Sequence, residues 1–301
     1  GLAINSTDAN GTVAIGMEAG KAITSGASNV AIGYEALKTT TTGLRNIAIG
    51  YEAMHDTDAG SSSSDSDNNI FIGYTAGGGA WADAKSENNV AIGSNVMQGV
   101  LNGANYNTAL GYFALASITS GDTNVGIGSE AGGVLTTGIK NTIMGVQAGN
   151  AMTSTNYTTL IGYQAGLAIN SADADGTIAI GYQAGLAITS GQYSTFVGYA
   201  AGYSSDTNDG NTFIGYMAGY EADAATVVAG QNTYLGAFAG RFLDDGSDNV
   251  AIGYDAMASN SDGAANAVRY SIAIGRAAMA SSYSNQGTIA IGYYAGDHAS
   301  A

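Results

Sequence analysis

The 301-residue sequence has no cysteine and no proline. Without thiols, neither disulfides nor thiolate metal sites contribute. The missing proline suits a chain whose backbone N–H groups are all engaged in stacked pairing, because proline removes one such donor. Basic residues are few, with eight Lys and Arg against 24 Asp and Glu and a net charge of −16. Lys21, Lys38, Arg45, Lys85, Lys140, Arg241, Arg269 and Arg276 are scattered along the chain. Nucleic-acid binding needs clustered cations, and so does docking on an anionic membrane, so neither is expected. No apolar run approaches the ~20 residues of a membrane helix. No basic segment followed by an apolar one opens the sequence, so no signal peptide is visible. The only histidines, His55 and His298, lie far apart, and no Gly-x-Ser-x-Gly elbow occurs. No triad can be assembled on those grounds, and a non-enzymatic protein is expected.

What is abundant is glycine, 46 residues of it, set in one recurring phrase. Clear copies are Asn46-Ile47-Ala48-Ile49-Gly50-Tyr51-Glu52-Ala53-Met54 and Asn211-Thr212-Phe213-Ile214-Gly215-Tyr216-Met217-Ala218-Gly219. Sixteen copies centre on Gly16, Gly33, Gly50, Gly73, Gly93, Gly111, Gly128, Gly145, Gly162, Gly181, Gly198, Gly215, Gly236, Gly253, Gly275 and Gly292. Nine of the fifteen spacings are 17 residues and the other six are 18 to 23. A fixed short period means one unit stacked on copies of itself. The repeat therefore outweighs a length that would suggest two domains, and residues 1–301 read as a single repeat domain, a segment of a longer fibrous protein.

Counting from the central glycine as position zero, Val, Ile or Thr fills −3 and an aliphatic residue, usually Ile, fills −1. β-branched residues at alternating positions predict a strand, with −1 supplying the core. Tyr fills +1 in ten copies, and Ala fills +3 in all but one, where Val96 stands. The six copies with Leu or Met at +4 all carry Ala at −2, and the six with a large −2 residue all carry Gly at +4. Close packing penalises both voids and overfilling, so −2 and +4 are expected to share one pocket. Asn fills −4 in ten copies. A second short strand is expected at stretches such as Ala22-Ile23-Thr24-Ser25-Gly26.

The expected fold is all-β: a parallel β-solenoid of about sixteen coils with two short strands per coil. At ~4.8 Å per coil, fifteen intervals give a rod of roughly 70 Å. Identical side chains would then stack as ladders, exemplified by Ile32 over Ile49, Tyr34 over Tyr51 and Asn29 over Asn46, with hydrogen bonds running along the Asn ladder.

The phrase Asn-[Val/Ile/Thr]-x-Ile-Gly-x-x-Ala resembles the head repeats of trimeric autotransporter adhesins, which use a shorter period. In its fuller form at a 17-residue period it is more similar to repeats of phage tail-fibre-type proteins. The resemblance covers nearly the whole chain. It implies a left-handed β-roll, a homotrimer, and a place outside the cell, on a cell surface or a virion.

Some residues fit chemistry beyond scaffolding. Asp8 and Asn10, Asp173 and Asp175, and Asp206 and Asn208 place oxygen donors at alternating positions before a glycine. Such turns suit calcium, although Asp-Gly and Asn-Gly are also ordinary turn signals. No other cofactor is indicated. Trp81 lies in an insertion, where an exposed ring at a loop tip would serve recognition. The +1 tyrosines either fill a corner, line a subunit seam or stack against sugars. Glu18, Glu35, Glu52 and Glu130 recur at +2 and read as solvated surface residues.

The expected function is a structural or adhesive fibre segment, a stiff rod that displays loops for attachment. Its partners would be copies of itself and a surface glycan or protein of a host. A self-assembling filament or surface-layer subunit stacked end to end is the alternative, and a glycan-cleaving spike a distant third.

Overall fold

A computed structural model describes residues 9–57, 65–205, 207, 209–221, 230–243, 246–258, 268–281 and 286–297. The chain is an all-β parallel solenoid that divides into two compact units, residues 1–154 and 155–301. The first unit holds eight strands from β1 (Val13–Ile15) to β8 (Thr142–Met144). The second holds eight from β9 (Thr159–Ile161) to β16 (Ile289–Ile291). Coils are numbered 1 to 16 by their central glycines. Each strand is three residues long, occupies −3 to −1, and pairs in parallel and in register with the next coil of its unit, as Val30, Ala31 and Ile32 do with Ile47, Ala48 and Ile49. Seven intervals at ~4.8 Å make each unit about 34 Å along its stack.

Among the described residues there is one strand per coil, not two. The stretch around Ala22–Gly26 is a series of turns, although it still bonds coil to coil: the N–H groups of Ala22 and Thr24 donate to the carbonyls of Lys38 and Thr41 at 3.0 and 2.9 Å. Each coil turns through left-handed φ at −5, +2 and +4 as well as at the central glycine, as at Ser28, Glu35, Leu37 and Gly33 in coil 2. These positions bracket the strand, and none lies in Ala22–Gly26 itself, where the coil-to-coil bonds do not build a ladder.

The central glycine has a second requirement. Its φ lies between +130° and +146° throughout. Within each unit, a Cβ built on it would lie 2.1–2.7 Å from the carbonyl oxygen of the next central glycine. The coils approach so closely there that only glycine fits.

The core sits behind −2, and this reverses the expectation for −1. Ala31, Phe71, Phe196, Phe213 and Tyr234 at −2 are fully buried, whereas Ile15, Ile92, Ile214 and Ile291 at −1 are exposed. Ile32 and Ile49 are half-buried on the outer face. Alternation along a strand puts −3 and −1 on one face, and that face is the outer one. Ala at +3 is buried along the stacks, as at Ala36, Ala114 and Ala218, and aliphatic side chains at +7 such as Ile118, Leu135 and Ile188 close the interior.

The shared pocket is present. A Cβ on Gly77, Gly202, Gly219 or Gly240 would lie 2.3–2.5 Å from the ring of the −2 residue in its own coil, Phe71, Phe196, Phe213 or Tyr234. Where both positions are small, neighbouring coils fill the space: a Cβ on Gly126 would meet Leu115 Cγ of the coil before at 2.6 Å.

Asn at −4 forms a buried ladder, and most of its bonding is to backbone. Asn124 illustrates it. Its Oδ1 accepts the N–H of Asn141 at 3.0 Å and the Nδ2 of Asn141 at 3.0 Å. Its Nδ2 donates to the carbonyl of Gly138 at 2.8 Å and to Oδ1 of Asn107 at 3.1 Å. Thr12 makes both backbone contacts with one hydroxyl, at the longer distances of 3.2 and 3.3 Å. Buried polar groups left without partners cost about 1–3 kcal/mol each. Asn124→Ala is therefore expected to lower unfolding free energy by about 2–4 kcal/mol in denaturant titration, and Asn124→Thr to recover a good part of that loss.

Candidate functional site

Two surfaces carry side chains that the fold itself does not consume. The first is the outer face of the sheet. It presents −3, −1 and, just past the glycine, +1. Tyr51, Tyr112, Tyr163, Tyr182, Tyr199 and Tyr216 are each 42–52% exposed. The tyrosines stack: ring centroids are 5.0 Å apart for Tyr34 and Tyr51, 5.3 Å for Tyr51 and Tyr74, and 4.9–5.4 Å along Tyr163, Tyr182, Tyr199 and Tyr216. Such offset stacks add roughly 0.5–1.5 kcal/mol per pair. Arg276 is the one charged residue in these three columns, and its guanidinium lies 5.5 and 5.9 Å from the rings of Tyr254 and Tyr293. The tyrosines thus form an open strip that borders the +2 carboxylates, to which the hydroxyls of Tyr34 and Tyr51 bond at Glu35 and Glu52.

The second surface is the corner formed by +2 and +5. Its composition changes from coil to coil. In coils 1 to 3 it is an ion-pair ladder: Lys21 Nζ meets Glu18 at 2.9 Å, and Lys38 Nζ meets Glu18 at 3.2 Å and Glu35 at 2.8 Å. His55 Nε2 lies 2.8 Å from the same Glu35 carboxylate. The recurrent glutamates at +2 are therefore partnered surface groups. Lys38 first, then the Tyr34 hydroxyl and His55, hold the Glu35 carboxyl down to about 2. A depressed carboxyl contributes stability above its ordinary value near 4.5 and loses it as pH falls toward 2. Carboxyl NMR titration is expected to place Glu35 well below the ordinary carboxylate range, and Lys38→Met to raise its midpoint.

In the second unit the corner carries Arg241, whose guanidinium lies 4.5 Å from the Phe238 ring and 4.6 Å from the Phe242 ring. In coils 5 to 8 it opens into a groove of about 680 Å³. The groove exists because +5 is Ala116 and Gly133 in coils 6 and 7, between Gln98 and Asn150. Tyr112 and Phe113, packed edge to face at 4.5 Å, form one wall. Glu130 accepts from Gln147 Nε2 at 3.0 Å and Asn150 Nδ2 at 3.5 Å. A volume of this size is within the range of small-ligand sites.

Of the residues singled out as metal ligands, Asn10, Asp173 and Asp175 are described. Asp8, Asp206 and Asn208 lie outside the described residues. Asn10 is exposed, and its carbonyl accepts the N–H of Ser28. Asp173 sits in a short 3-10 turn capped by Ser171. Asp175 Oδ1 accepts the backbone N–H of Asn156 at 2.6 Å, the same coil-to-coil capping that Asp122 gives Asn105 and Asp209 gives Gln192. Among the described residues no three His, Asp or Glu side chains gather as a metal-holding group.

Trp81 is not at an exposed loop tip. It is fully buried, its Nε1 donates to the carbonyl of Gly77 at 2.9 Å, and its ring packs 5.6 Å from Phe71. The inserted segment carries the ring into the core, against the Phe71 ring of its own coil. The other insertions singled out for display include residues 58–64 and 244–245, which lie outside the described residues.

Sequence reasoning missed the +2/+5 corner as a site. Its signal was present in the repeat alignment: +5 is the column in which Lys, His, Gln, Gly, Ala, Tyr and Arg alternate most freely.

Compared with known protein families and with curated proteins, the sequence matches none.

Proposed function

We propose that this chain is a non-enzymatic structural segment of a surface fibre, whose coils associate side by side with other copies through the Ile/Val–Tyr sheet face. The observation that carries the reading is that face: three columns of mainly aliphatic and tyrosine side chains, with Thr at −3 in six coils and Arg276 as the one charge, on a protein of net charge −16. Large exposed apolar patches mark interaction surfaces. A second copy suits it better than an unrelated partner, because it has the same coil spacing and its ridges can seat in register. The neutral face also lets two acidic chains meet where repulsion is least. The resemblance to tail-fibre and adhesin repeats favours three copies and a virion or cell surface. Attachment would fall to the variable corner and the inserted loops. The reading requires no cofactor.

Light scattering on the purified chain tests it. A discrete particle of three times the 30.0 kDa chain mass is expected. Ile49→Glu together with Ile127→Glu is expected to give monomers whose β-sheet circular dichroism is unchanged. A monomeric parent chain would sink the reading, and open-ended polymers would favour end-to-end stacking.

A further inference from the structure

We propose that the groove at coils 5 to 8 is a receptor for a guanidinium group, an arginine side chain of a basic partner segment. The inference stands on the +2/+5 corner with the adjoining +1 residue Tyr112, and does not rest on association through the sheet face.

The chain shows three times what this corner does with a cation: in coil 1 the +5 residue Lys21 meets the +2 carboxylate of Glu18 at 2.9 Å. In coil 2 the +5 residue Lys38 places its ammonium 2.8 Å from the +2 carboxylate of Glu35. In coil 13 the +5 residue Arg241 places its guanidinium 4.5 Å from the +2 ring of Phe238. Coils 6 and 7 offer both kinds of acceptor side by side, Phe113 and Glu130 at +2. There the +5 residues are Ala116 and Gly133, which supply no cation. None of the ten residues lining the groove is basic. The groove therefore has the shape and the acceptors of a cation site whose own column provides nothing to fill it.

The lining selects among cations. A planar guanidinium can lie on the Tyr112–Phe113 wall and present its fork of N–H donors to Glu130 in the same pose, whereas an ammonium is a point charge that does one of these well. Asn150 Oδ1 adds an acceptor over the floor, 2.8 Å from where a Cβ on Gly133 would stand. Anionic ligands are disfavoured by Glu130 and by the net charge of −16, which also draws basic segments toward the surface.

The probes are acetyl-Gly-Arg-Gly-amide and its citrulline counterpart, which keeps the shape and loses the charge. Methyl NMR on the full chain reads Ala116 and Val134, both in the groove lining. The arginine peptide is expected to shift these methyls saturably, and the citrulline peptide to leave them in place. Glu130→Gln should weaken binding at least tenfold, while Glu18→Gln, at the ion-pair ladder, should not alter it. Ala116→Arg should supply the cation in cis, as Arg241 does beside Phe238, and abolish binding by the peptide while sheet circular dichroism persists. Equal shifts with citrulline, or full binding by the Glu130→Gln chain, would overturn the assignment.

Discussion

Gly198→Ala is expected to destabilise the protein by about 4 kcal/mol or more, or to prevent the second unit from folding, whereas Gly287→Ala should cost only about 1–2 kcal/mol. Both residues have positive φ, +140° and +64°, so both substitutions strain the backbone. The difference is space. A Cβ on Gly198 would stand 2.3 Å from the carbonyl oxygen of Gly215, while one on Gly287 meets nothing within 4 Å. The obstructing atom at Gly198 is backbone, held by the N–H of Gly215 donating to Val197 at 2.8 Å and by the pairing of Thr195–Val197 with Thr212–Ile214. It cannot move without parting two coils. Chemical denaturation of the two variants checks the contrast. Equal losses would show that conformational strain, not coil spacing, fixes the central glycine.

The second large effect is an exchange. Phe213→Ala empties a fully buried site and should cost about 3–5 kcal/mol. Gly219→Met alone should also destabilise, because its Cβ would come 2.4 Å from the Phe213 ring. Together they reproduce the Ala and Met of coil 3, Ala48 and Met54, which pack fully buried. The double variant should therefore be more stable than the sum of its parts predicts, with a coupling of roughly 2–3 kcal/mol in a double-mutant cycle. Additive losses would defeat the shared pocket. Gly219 has φ +57°, as Met54 does at +49°, so the backbone already suits the incoming side chain.

The repeat made the strands, their parallel order and the Asn ladder legible, because one residue pattern copied sixteen times leaves one way to stack it. Direction was harder. Alternation says that −3 and −1 share a face, but β-branched residues suit an exposed sheet as well as a buried one. The clue was in hand: if −2 trades volume with +4, then −2 points inward and Ile at −1 must point out. The second strand was misread from Ile23 and Thr24, because that stretch runs in turns that still bond coil to coil. Trp81 misled because an insertion was equated with exposure, while its ring fills a core position. The groove was invisible because it consists of what Ala116 and Gly133 leave out, and an absence in one column becomes a cavity only when neighbouring coils wall it in.

The exchange between −2 and +4 also bears on how such a chain can grow. The two positions are six residues apart in every coil, as Phe213 and Gly219 are. A duplication or crossover that falls in the variable turns copies both together, so a matched interior is inherited as one short block. A crossover inside the phrase would separate a ring from its glycine and leave either a clash or a hole. Recombination is thereby channelled to the turns, the same stretches where the spacing already varies from 17 to 23 residues.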